Sequence, residues 1–423
     1  MNNNRLFAVF FSAVSALCVQ AQNTQSLIKN NPEISAGNYC VYPGPKSAMT
    51  AVPDGYVPFY ISHYGRHGSR YMLTSEDAKE AFTTLDQADI KGNLTEFGKS
   101  VRSDLHKVIV AMDEREGELT PLGHLQHQQI ATRMFNNFGQ VFKDSARVDV
   151  KSSIVVRCIL SMNSFTNQLS RLNPKIQFSA DASRHDMGYI SKQEDNSHKL
   201  PDAVVKWNKL HSQFCDSLSH PDRLMKELFG KADYLDEKHA GKLARRIFNV
   251  ACDLQDMPGI DFDLFSVFTT DEIFDYWQSQ NAYWFGFIGG YPTLDRSSAE
   301  MAGDLLLNII NQAQEAIDGG GVAANLRFGH DTAFLRLLAL MQINNVAYRT
   351  DNLNELTDKW RDFDFIPMAA NLQIVFFKNS KNDVILKVLL NENEATLPIR
   401  SVGANCYSWK DFKNFYQQIL NKK

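Results

Sequence analysis

Residues 57–71 read Val-Pro-Phe-Tyr-Ile-Ser-His-Tyr-Gly-Arg-His-Gly-Ser-Arg-Tyr. Val57 to Ile61 is a short apolar run, the composition of a buried strand. Glycine then punctuates the chain at Gly65 and Gly68, so strand gives way to loop. That loop carries Arg66, His67 and Arg70. In open α/β sheets ligands bind outside the carboxyl ends of the strands, and this is such an end.

Two later places repeat the pattern. Ile154-Val155-Val156 reads as a second short buried strand, ending at Arg157. Asn325 to Phe328 reads as a third, followed by Gly329-His330-Asp331 and a helix over Thr332–Met341. Between them, Thr120-Pro121 marks a helix start, with Thr as cap and Pro at the first helical position. Leu122, Leu125, Ile130, Met134, Phe138 and Val141 then follow at roughly helical spacing. Residues 161–172 and Gly303 to Ile317 also read as helices. Asn371–Lys378 and Asp383–Leu390 alternate around the turn segment Asn379–Asn382, which is an antiparallel hairpin.

Strands alternating with helices, plus a hairpin, predict an α/β fold: a central mixed sheet flanked by helices. Residues 190–300 differ, being helical and rich in aromatics, and read as an inserted, mostly helical cap. The expected organisation is a core in two parts, 22–189 and 301–423, split by that insertion. Residues 22–56, rich in Pro, Gly and Asn, read as an extension wrapping the surface.

The ends and the charge set limits. Arg5 followed by the apolar run Leu6–Val19 and Val19-Gln20-Ala21 has the form of a cleavable secretory signal over residues 1–21. An exported protein, periplasmic or secreted, is expected, with no membrane attachment after cleavage. Cleavage leaves Cys40, Cys158, Cys215, Cys252 and Cys406, among which Cys215–Cys252 is the favoured disulfide and free buried thiols an equal alternative. The 423 residues suggest two or three domain-sized units or one domain with a large insertion, and 44% are hydrophobic, enough for a real core. Lys and Arg number 44 against 48 Asp and Glu. That balance excludes a polycationic surface for nucleic acid or membranes.

The three strand ends together offer Arg66, Arg70, Arg157, His67, His330 and Asp331. Arginine presents a planar fork of donors that matches phosphate oxygens. Three such forks offset a phosphate dianion and the charge that builds on it during transfer. A neutral imidazole can attack phosphorus and form a phosphoenzyme; nearby arginines would keep His67 neutral. Asp331 must be protonated to donate to the leaving oxygen, and burial beside a bound anion would raise its pKa. His63 and His67 are four apart, as in a zinc-binding helix, but the glycines and the strand oppose a helix there. His124, His127 and His185 occur singly and are given no role. No metal or cofactor is expected.

Arg-His-Gly-Ser-Arg after a buried strand, Arg157 downstream and His330-Asp331 after a third strand resemble the histidine acid phosphatases, the larger branch of the histidine phosphatase superfamily. The Leu119–Gly123 segment and the hairpin running into Leu390-Asn391-Glu392 share the likeness. The resemblance implies a phosphoglycerate-mutase-like core and a phosphohistidine mechanism. In it His67 is the nucleophile, Asp331 the proton donor, and Arg66, Arg70, Arg157 and His330 the phosphate clamp. Residues 57–71 and 387–399 look most like the multiple inositol polyphosphate phosphatase group, which dephosphorylates phytate. Where that group has His-Ala-Glu, this chain has His330-Asp331-Thr332. Expected, therefore, is a phosphomonoesterase acting on small phosphorylated metabolites, inositol polyphosphates first. A broad acid phosphatase acting on sugar phosphates or nucleotides is the alternative, and a non-catalytic phosphate-ester binder is the alternative of another class. Lys206, Lys209, Arg223 and Lys226 are candidates to meet extra phosphates from the cap.

Overall fold

The computed structural model describes residues 23–192 and 201–421. The expected signal segment, residues 1–21, lies outside them. The strands are β1 Val57–Arg66, β2 Arg147–Ser152, β3 Gln177–Asp181, β4 Ala324–Gly329, β5 Asn371–Lys378, β6 Val384–Leu390, β7 Asn393–Glu394, β8 Ser401–Gly403 and β9 Cys406–Ser408. They form one mixed sheet in the order β3-β2-β4-β1-β5-β6-β9-β8, with β7 on β6. The longer helices are α1 Glu76–Ile90, α2 Glu96–Ala111, α3 Pro121–Phe138, α4 Val156–Leu172, α5 Asp202–Ser217, α6 Asp222–Leu228, α7 Glu237–Leu254, α8 Thr270–Phe287, α9 Gly303–Ile317, α10 Asp331–Met341 and α11 Trp409–Leu420.

Register places the site. β1 and β2 both run parallel to β4, pairing Arg66 with Gly329 and Ser152 with Phe328. Three carboxyl ends therefore finish on one edge, and His67, Ser153 and His330 follow side by side. β5 is antiparallel to β1, so its beginning, Asn371 opposite Gly65, arrives at the same edge.

One strand differs from the sequence reading. Ile154–Val156 is not a strand: Ile154 and Val156 are exposed, and Val155 is the N-cap residue of α4. The strand is Arg147–Ser152, whose Val148 and Val150 alternate into the core while Asp149 and Lys151 stay half-buried. Alternation, not a run of β-branched residues, marks a strand with one apolar face. Arg157 thus stands on the first turn of a helix rather than at a strand end.

The helices between β3 and β4 divide between two apolar clusters. Leu224, Leu228, Ile247, Phe248 and Trp277 pack with Leu85, Val101 and Leu105 of α1 and α2. Trp207 and Phe285 join the cluster on the sheet's face with Phe334 and Leu338 of α10. α8 thus spans both clusters, its first half in one and its second in the other. All five described cysteines are free, so the expected Cys215–Cys252 bond does not form. Cys215 lies beside His211 on α5, and Cys252 is buried in α7.

The N-terminal extension also differs. Ser35, Ala36 and Asn38, in the short 3₁₀ segment Pro32–Tyr39, are buried. That segment packs as a strap against α7 and α8 and delivers Asn38 and Tyr39 to the site.

Candidate active site

The loop after β1 is pinned on every side. The backbone N–H of His67 donates to Gly329 O at 3.0 Å, and its carbonyl accepts from Ala369 at 3.0 Å. Gly68 N–H donates to Ser161 Oγ, Ser69 N–H to Gln126 Oε1, and Thr120 N–H and Oγ1 to Ser69 O. The loop lies directly against the first turn of α3. A Cβ on Gly68 would fall 2.5 Å from Gly123 O, and one on Gly123 would fall 2.2 Å from Ser69 O. The two glycines permit an approach that no side chain allows, which ties the 119–123 segment to the 66–70 loop.

His67 is 3% exposed, and its Nδ1 sits 2.9 Å from Gly68 O. A carbonyl only accepts, so Nδ1 carries the proton and Nε2 is left with its lone pair. Burial pushes the His67 imidazole well below its ordinary pKa, and Arg66, Arg157, His330 and Arg70 push the same way. The neutral state expected from the arginines therefore has burial as its larger cause.

Arg66 is 1% exposed. Its Nη1 donates to the carbonyls of Asn38 and Ile366, and its Nη2 pairs with Asp331 Oδ2 at 2.7 Å. Its Nε is buried without a partner, as is that of Arg157. Arg70 Nη1 donates to Tyr71 O and Asp253 Oδ1, each at 3.0 Å, and its guanidinium lies over the Tyr39 ring. Arg157 is half-buried, and its charge acts on His67 and His330. His330 approaches Ser153 Oγ at 3.2 Å through Nε2, and its ring stands edge-on to His67, centroids 5.7 Å apart. Burial, then Arg157, lowers its pKa to about 4. All six expected residues thus gather at one edge of the sheet.

Asp331 opens α10, where the helix N-terminus favours a negative charge. Its Oδ1 accepts from Thr332 N–H at 2.8 Å, and its Oδ2 also accepts from Asn38 Nδ2 at 3.2 Å. Burial pushes this carboxyl toward neutrality, but Arg66, His330 and Asn38 together hold it below the ordinary carboxylate range. Burial is the largest single influence, and only Arg66, His330, Asn38 and Arg70 together outweigh it.

Several neighbours escape sequence reasoning. Asn38 is held by Gln280, whose Nε2 donates to Asn38 Oδ1 at 2.8 Å. Asp253 fixes Arg70. Asp256 is fully buried nearby, and burial pushes its carboxyl well above the usual range. No local motif announces these positions. His127, given no role from the sequence, is buried beside His63 and Phe328. Arg223 does not face the site; it pairs with Glu227 and Glu272. Lys206, Lys209 and Lys226 are exposed. Among the described residues no group of three His, Cys, Asp or Glu is placed to hold a metal.

A family model for the histidine phosphatase superfamily, branch 2, matches residues 65–391. The chain is 22% identical over 397 residues to multiple inositol polyphosphate phosphatase 1 of Gallus gallus, covering 89% of this chain and 85% of that protein. The fold resembles the Bifidobacterium longum multiple inositol polyphosphate phosphatase in complex with phosphate. There the TM-score is 0.74 at 17% identity, over 90% of this chain and 97% of the other. The same enzyme with inositol hexasulfate gives 0.71 at equal identity and coverage. The phytase from D. castellii gives a TM-score of 0.71 at 14% identity, over 92% of this chain and 85% of that one.

Proposed function

Because the chain belongs to the histidine phosphatase superfamily, branch 2, we propose that it hydrolyses phosphomonoesters through a phosphohistidine, with inositol polyphosphates as first substrates. The observation that carries this is His67. Its Nδ1 proton is committed to Gly68 O, which leaves Nε2 as a nucleophile in a pocket shared with Arg157 and His330.

In the first step Nε2 attacks phosphorus, the ester P–O bond breaks, and the leaving alkoxide takes the proton of Asp331. In the second, Asp331 as carboxylate takes a proton from water, which attacks phosphorus and releases phosphate from His67. Arg66, Arg70 and Arg157 offset the charge on the transferring group. The inositol polyphosphate reading draws on the chicken and Bifidobacterium relatives. Export with removal of residues 1–21 is proposed from the sequence, and N-terminal sequencing of the mature protein tests it.

Phosphate release from phytate, sugar phosphates, nucleotides and p-nitrophenyl phosphate at acidic and neutral pH tests the proposal. Turnover of phytate above the others supports it. Absence of hydrolysis of all four overturns it.

A further inference from the structure

Beside Arg70 a cleft of about 480 Å³ opens between the strap, α5, α7 and α8. Most charges in its wall are already paired. Arg70 has Asp253 at 3.0 Å. Asp77 accepts from Asn249 Nδ2 at 2.8 Å and faces Arg246 at 3.6 Å. Arg245 differs. It is half-buried, its Nη1 donates to the Tyr276 carbonyl at 3.2 Å, and its guanidinium lies 4.5 Å from the Tyr276 ring centre. Among the described residues no carboxylate pairs with it. A lone cation is costly to bury, and this one is held where only a cleft separates it from solvent.

A histidine and a cysteine of α5 stand beside it. His211 Nε2–H donates to Ser279 O at 2.9 Å, and the ring stacks on Trp207. Cys215 Sγ lies 3.6 Å from His211 Nε2. Burial pushes that thiol up, but its hydrogen bond to His211 and the charges of His211 and Arg245 bring it below its ordinary value.

Resting on the phosphomonoester reading above, we infer that Arg245, with His211 beside it, is a second anion subsite. It takes a phosphoryl group of the substrate that is not undergoing transfer. Arginine's fork suits a phosphate held at its edge, and the cleft joins this point to Arg70. The enzyme therefore favours substrates with at least two phosphate esters over monophosphates.

The test compares kcat/KM for inositol hexakisphosphate with that for p-nitrophenyl phosphate in wild type, Arg245→Gln and Arg245→Lys. Arg245→Gln lowers the ratio about 10- to 100-fold, mainly through KM, the loss expected for one charge-assisted contact. Arg245→Lys recovers part of it. Calorimetric binding of inositol hexasulfate weakens in parallel, a readout independent of turnover. A ratio within about twofold of wild type in a folded variant overturns the subsite, as does an equal fall on both substrates. Wild type that cleaves neither substrate refutes the phosphatase reading instead, while the binding measurement still decides the subsite.

Discussion

Asp331→Asn separates chemistry from structure at one atom. Both carboxylate oxygens accept hydrogen bonds, Oδ2 from Arg66 and Asn38, Oδ1 from Thr332 N–H. Asparagine offers one oxygen and one NH₂, so one of these donors meets another donor. Arg66, 1% exposed, also loses its countercharge. Breaking a buried pair from one side costs about 3–5 kcal/mol. For a chain of 423 residues the unfolding entropy is about 0.9 kcal/mol/K, so Tm falls about 3–6 °C. Activity responds to a different property. A positioned general acid contributes about 10²- to 10⁴-fold when the leaving oxygen is basic. Turnover of inositol phosphates, whose leaving group is an alkoxide, falls by that factor. Turnover of p-nitrophenyl phosphate, whose leaving group needs little protonation, falls by about tenfold or less. Initial rates on both substrates and calorimetry of the same preparation decide the matter. Equal losses on the two substrates refute the donor role, and an unchanged Tm refutes the Arg66 pair.

His67→Ala abolishes turnover, and acid-labile phosphate trapped on wild type by rapid quench is absent from the variant; substantial residual activity sinks the phosphohistidine. Gly123→Ala places a Cβ 2.2 Å from Ser69 O, so the 66–70 loop must move, and kcat/KM falls at least about 100-fold. Gly188→Ala, with nothing within 4 Å of its Cβ, is the silent control. Asp253→Ala leaves Arg70 buried and unpaired, and Asp253→Ala with Arg70→Met unfolds at higher temperature than Asp253→Ala alone; the reverse order would show that the pair carries no coupling. Stability also depends on pH. His63 and His127 are lowered to about 3 and His330 to about 4, chiefly by burial. Between those values and the unfolded value of about 6.5 the unfolded chain binds more protons, so stability falls as pH drops below about 6.5. His127→Phe flattens that slope in urea titrations from pH 7 to 4; an unaltered slope contradicts the assignment.

Much of the site was legible because its chemistry is local. Strand, glycine and Arg66-His67 follow one another in the chain, and His330-Asp331 sits at a strand-to-helix junction. What escaped is what distance conceals. Asn38 reaches Asp331 from a segment whose Pro, Gly and Asn content suggests surface, and only the Gln280 and Arg66 contacts reveal why it is buried. Asp253 looks like any acid on a helix until Arg70 is found beside it. The β2 error has a local cause: Ile154-Val155-Val156 outscores Arg147–Ser152 in hydrophobicity. Sheet pairing instead rewards Val148 and Val150 alternating opposite Ala324 and Leu326 of β4. Arg157 still arrived at the pocket because β2 ends on the same edge.

Two of the site's arginines are held in internal pairs, Arg66 with Asp331 and Arg70 with Asp253. That arrangement keeps two buried guanidinium groups from standing uncompensated. In the proposed mechanism the same carboxyl is both a structural anion and the acid. A phosphate dianion entering beside Arg66 supplies the countercharge that Asp331 supplies in its absence. Its negative charge opposes the carboxylate, and burial, already the largest influence on Asp331, then favours the protonated form. The proposed mechanism thereby links substrate binding to proton uptake by Asp331. The linkage requires that phosphate bind with net uptake of a proton above the carboxylate range, measurable as a buffer-dependent calorimetric enthalpy in wild type and lost in Asp331→Asn.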